Sequence, residues 1–109
     1  MIQVSIYRNA RGERIGFHTA GHADYEDSGR DIICAAVSVL ELNLANSVSE
    51  FTDARFQTRI DEKSGEFDFR LADTGSKEAV LLLNSCLLGF QAVSREYGKK
   101  YLTITDEEV

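Results

Sequence analysis

The sequence predicts an α+β two-layer sandwich, in which two helices cover one face of a mostly antiparallel five-stranded sheet in the order ββαββαβ. Three observations carry this prediction. Short stretches of alternating apolar and polar residues come in pairs joined by turn residues. Two longer stretches repeat apolar residues at spacings of three and four. Laying both amphipathic helices on one sheet face is then the simplest way to bury all the apolar sides at once.

Each element follows from its own residues. Ile2, Val4 and Ile6 alternate with Gln3 and Ser5, the pattern of a half-buried strand. Asn9, Ala10, Arg11 and Gly12 form a turn, and Ile15, Phe17 and Thr19 continue on a second strand, so residues 2–20 read as a hairpin. Residues 21–30, with two glycines and four charged side chains, read as a loop. Ile33, Val37, Leu40, Leu44, Val48 and Phe51 then mark the buried stripe of a helix over 31–51. Phe56, Thr58 and Ile60 form a third strand, 61–65 a turn, and Phe67, Phe69 and Leu71 a fourth strand with Asp68 and Arg70 toward water. Ser76 is placed to cap a second helix, Glu78 favours its positive end, and Gly98 ends it beside Lys99 and Lys100. Tyr101 to Thr105 reads as a fifth strand, followed by a frayed acidic tail from Asp106 to Val109.

The bulk properties bound the function. A chain of 109 residues makes one domain, 1–109, with a core that needs no staples. Two cysteines, Cys34 and Cys86, permit one disulfide at most, and the default expectation is a cytoplasmic protein with both thiols reduced. A membrane span is not expected, since no run of about 18 apolar residues occurs, and no secretory leader is expected from the first residues. The net charge of −6 argues against direct nucleic-acid binding and suits a basic partner. Neither GxGxxG nor GxxxxGK[ST] nor GxSxG occurs, which removes the commonest nucleotide loops and the serine nucleophile elbow.

Chemistry concentrates between residues 21 and 38. Cys34 falls in the first turn of the predicted helix, where unpaired N–H groups and the helix dipole stabilise an anion. The same N–H groups are placed to hold the oxyanion of a tetrahedral intermediate. The competing reading is a small, inert core thiol, which is the reading favoured for Cys86 in the apolar string LLLNSCLLGF. His22 opens the loop that returns to Cys34, and Gly21 lets the backbone bend there; an imidazole at this point suits a thiol's general base, or is simply an exposed loop residue. Asp31 either caps the helix or orients His22. Ser38 stands one turn beyond Cys34, supporting it or lining a helix interface. His18 points away from Phe17, to the outer face of the sheet. A zinc site built from His18, His22 and Cys34, with Asp24 or Asp31, matches no zinc spacing, so no metal or other cofactor is expected.

The string GHADYEDSGRDIICAAVS resembles the signature of the bacterial ribosomal-processing cysteine proteases, the Prp family. The matching features are Gly21-His22, the step Gly29-Arg30-Asp31, and the helix start Cys34-Ala35-Ala36-Val37-Ser38, and the order of elements agrees over the whole chain. This resemblance implies that Cys34 is the nucleophile and His22 the base, with Gly21, Asp31 and Ser38 in support. It implies a homodimer of the same α+β fold, with a mobile loop before the cysteine. It further implies that the substrate is large-subunit ribosomal protein twenty-seven, whose short N-terminal extension is removed after an aromatic residue. Two other classes remain open: a non-catalytic module that grips a ribosomal or other basic partner, and a redox or acyl-carrying thiol protein, the dithiol form of which the absence of CxxC disfavours.

Overall fold

The structure, a computed structural model, describes residues 1–22 and 31–109. The expectations placed on 23–30, namely Asp24 as a ligand, the Gly29-Arg30 step and a loop that orders over substrate, lie outside the described residues.

Strands β1 (Ile2–Arg8), β2 (Arg14–Ala20), β3 (Phe56–Asp61), β4 (Glu66–Leu71) and β5 (Leu102–Glu108) alternate with helices α1 (Ile32–Phe51) and α2 (Lys77–Tyr97) in the predicted order. They form one sheet ordered β3-β4-β2-β1-β5. All neighbours are antiparallel except β1 and β5, which run parallel because α2 carries the chain across the sheet before β5 joins.

Both helices lie on the same face. Phe17 and Thr19 point to one side of β2. The Phe17 ring meets Phe90 of α2 edge-on with centroids 5.0 Å apart, while the Thr19 hydroxyl donates to Glu41 of α1 at 2.6 Å. The helices touch each other where the Cys86 thiol donates to the Leu40 carbonyl at 3.5 Å and Gly89 leaves room for the Leu40 side chain. Phe17, Phe69, Leu83, Leu87, Phe90 and Leu102 are fully enclosed and form the centre of the core. One helix-facing row crosses four strands: Val4 opposite Thr19, Thr19 opposite Phe67, Phe67 opposite Ile60.

Three expectations change. The acidic tail is not frayed: Asp106, Glu107 and Glu108 pair with Ile6, Tyr7 and Arg8, and Arg8 holds Asp106 at 2.9 Å. Neutralisation by Arg8 and pairing along β1 outweigh the low strand propensity of the acids. Phe51 is 74% exposed rather than part of the helix stripe, because the inward row of α1 runs Ile33, Val37, Glu41, Leu44, Val48 and leaves residue 51 turned outward. Finally, α1 does reach the length and mean hydropathy, 1.6, of a membrane-crossing helix. Its serines and asparagines break the apolar run that the sequence search looked for, and its inward row packs on the sheet.

Candidate active site

The start of α1 is built by Asp31. Its carboxylate is buried, and Oδ1 accepts from the backbone N–H of Ile33 at 3.0 Å and of Cys34 at 3.1 Å. Its own carbonyl accepts from Ala35 N–H at 3.1 Å. Asp31 is therefore an N-cap, and it fixes the helical turn that carries Cys34. The same contacts correct the oxyanion expectation. The amides of Ile33, Cys34 and Ala35 already have acceptors on Asp31, so at rest they are not the unpaired donors that the expectation assumed.

His22 is positioned from the other side. It follows Gly21, whose φ of +89° is one that side chains disfavour; a Cβ there would also run into the Met1 carbonyl oxygen. The Met1 ammonium donates to the His22 carbonyl. The imidazole lies on the turn between β3 and β4: a Cβ added to Gly65 would sit 3.0 Å from His22 Cε1 and 3.4 Å from Nε2. Glycine at 65 thus leaves the ring its seat, and its φ of +72° makes the tight turn beneath it.

His22 and Cys34 both line one cavity of about 530 Å³ between the start of α1 and the β3–β4 end of the sheet. Gly21, Asp31 and Ser38 line it as well, so the cavity gathers all five residues singled out in the sequence. Cys34 is half-buried and His22 is exposed. Ser38 is exposed one turn beyond Cys34. His18 is on the opposite face of the sheet, with Nδ1 3.0 Å from Asp68 and Nε2 3.2 Å from Glu66. Cys86 is buried between the helices, and its thiol is pushed up to about 12, first by burial and then by the charge of Glu41. Among the described residues, no group of three or more His, Cys, Asp or Glu is arranged to hold a metal ion.

Sequence reasoning passed over Glu41, Thr19 and Gly65. Glu41 is buried, and burial raises its carboxyl from 4.5 to about 7, against the lowering effect of the Thr19 hydroxyl and of His18. The signal was present: residues 34, 37, 41, 44 and 48 repeat at three and four, which puts Glu41 on the inward row.

The chain matches the family described as cysteine protease Prp over residues 1–102. It is 33% identical over 99 residues to the ribosomal processing cysteine protease Prp of Staphylococcus aureus, covering 91% of this chain and 93% of that one. The Bacillus subtilis protein of the same name is 27% identical over 109 residues, covering 96% of each. Among solved structures, that of the essential ribosomal processing protease Prp from S. aureus with a covalently linked product peptide is similar at a TM-score of 0.91 and 31% identity, covering 98% of this chain and 100% of the other. The S. aureus structure with a substrate peptide gives 0.86 and 30% over the same shares.

Proposed function

Because the chain belongs to the ribosomal-processing cysteine proteases of the Prp family, we propose that it cleaves peptide bonds with a Cys34–His22 dyad and that its substrate is the precursor of large-subunit ribosomal protein twenty-seven. The observation that carries this reading is the shared cavity: a half-buried thiol in the first turn of a 20-residue helix faces the same space as an exposed imidazole. The substrate and product peptides held by the S. aureus relatives support a peptide substrate.

In the proposed reaction, His22 takes the Cys34 proton and the thiolate attacks the scissile carbonyl carbon. His22 then protonates the leaving amine, and water, deprotonated by His22, hydrolyses the thioester. Asp31 and Gly21 act as positioning residues, the first by capping the helix and the second by setting the bend before His22. Ser38 supports the thiol from the next turn. The basic character of a ribosomal protein suits the −6 charge, and the reaction belongs in the cytoplasm, where such precursors are made. The proposal includes a homodimer, for which α1 and α2 expose Val39, Leu81 and Leu88.

Mass spectrometry of the ribosomal protein precursor, incubated with the wild-type chain and with Cys34→Ala, tests the reading. The wild type should remove the N-terminal extension and the variant should leave it intact. An untouched precursor with the wild type, or equal cleavage by Cys34→Ala, would contradict it.

A further inference from the structure

The cavity that holds the thiol is electronegative. Asp31, Glu41, Asp61, Glu62 and Glu66 line it, and no lysine or arginine does among the described residues. Four of these acids lie at the helix start or toward the β3–β4 turn. Glu41 differs: it stands two turns along α1 from Cys34, about 10 Å by helical rise, and is only 7% exposed. The only described hydrogen bond to its carboxyl comes from the Thr19 hydroxyl, which reaches one oxygen, Oε2. The same cavity has apolar lining from Val37, Leu42, Ile60 and Phe67.

A carboxyl in such a place destabilises the fold when ionised and contributes no packing that a leucine would not. Its chemistry fits one class of guest. A side chain with an apolar stem and a cationic tip would lay the stem along the walls and bring its charge to the carboxylate, with further acids near the mouth to draw it in. Norleucine would fill the same walls and leave the carboxyl with the Thr19 hydroxyl as its described partner and no cation beside it. The reach is consistent, because an extended peptide advances about 3.3 Å per residue. About three residues of extended peptide therefore span the distance between Cys34 and Glu41.

We propose that Glu41 is a specificity-determining residue, selecting a lysine or arginine side chain in the substrate within about three residues of the bond that Cys34 attacks. This rests on the protease reading and names a feature of the substrate that the reading leaves open. Sites built to pair a polar group discriminate strongly against analogues that lack it.

The test is a set of peptides spanning the cleavage site, each with lysine or norleucine at one position, assayed with the wild type and with Glu41→Gln. At one position the wild type should prefer lysine by roughly 10- to 100-fold in kcat/KM, and Glu41→Gln should bring that ratio toward one. The absence of any lysine preference in the wild type, or a preference that survives Glu41→Gln, would overturn the proposal. Binding of the same peptides to Cys34→Ala, with and without Glu41→Gln, separates the two claims. A lysine preference in binding that Glu41→Gln removes, together with no cleavage by the wild type, would sink the protease reading and uphold the role of Glu41. Cleavage with no lysine preference would do the reverse.

Discussion

Replacing Glu41 by glutamine should remove a fall in stability that the wild-type chain undergoes between about pH 4.5 and pH 7. Burial raises the carboxyl from 4.5 to about 7 in the folded chain, and in the unfolded chain it returns to the ordinary value. Between these limits the folded state holds the proton and the unfolded state does not. Stability from this group is therefore complete below the unfolded value and declines as pH rises through the folded one. At about 1.36 kcal/mol per pH unit, the difference amounts to about 3 kcal/mol above pH 7. That is a large part of the 5–15 kcal/mol typical of a whole domain (roughly). Glutamine keeps an oxygen to accept the Thr19 hydroxyl and carries no titrating proton. Urea unfolding of both proteins, followed by helical circular dichroism, should give similar stabilities at pH 4.5 and a variant more stable by about 2–3 kcal/mol at pH 8.5. Parallel stability curves for the two proteins across this range would refute the reasoning, since they would mean that Glu41 ionises alike in both states.

Other consequences follow from the same contacts. Asp31→Ala should lose about 1–2 kcal/mol through the two amides left uncapped, whereas Asp31→Asn, which caps equally well, should stay within a few tenths; thermal melts of the pair check this. Gly65→Asn keeps a residue that tolerates the +72° backbone but puts a Cβ 3.0 Å from His22 Cε1. It should lower kcat/KM by roughly 10- to 100-fold with little change in melting temperature, and unaltered kinetics would remove Gly65 as the seat of the ring. Iodoacetamide at pH 8 should label Cys34 in the native chain and spare Cys86, whose thiol is buried and pushed up to about 12; peptide mapping reads the ratio, which should approach one in denaturant.

The sequence exposed most of the frame because local and global preferences agree there. The Ile2, Val4, Ile6 alternation is β1, Asp31 and Ser76 are the caps of the two helices, and Gly98 ends α2. The strand order was not legible, since it depends on which edges meet across the whole chain rather than on any local pattern. β5 was cut short for a related reason: the three acids at its end become a strand only when Arg8 and the β1 ladder are present to receive them. Within the site, Gly21, His22, Asp31, Cys34 and Ser38 stood out by residue type and spacing, and the fold brings them to one cavity. Glu41 was passed over for its charge although its spacing put it on the inward row, because a carboxylate on a helix reads as solvent-facing until a partner such as Thr19 is seen. The sequence did not show that Asp31, in capping the turn, takes the amides of Ile33 and Cys34 that the oxyanion reading treats as unpaired.

The account stands on Cys34 acting as a nucleophile that His22 activates. A peptide chloromethyl ketone carrying the residues before the scissile bond, followed by intact-mass analysis and peptide mapping, reads this directly. One adduct per chain on Cys34, formed much more slowly in His22→Ala, is the predicted result. Modification at Cys86 instead, or an adduct on Cys34 whose rate ignores the loss of the imidazole, would contradict it.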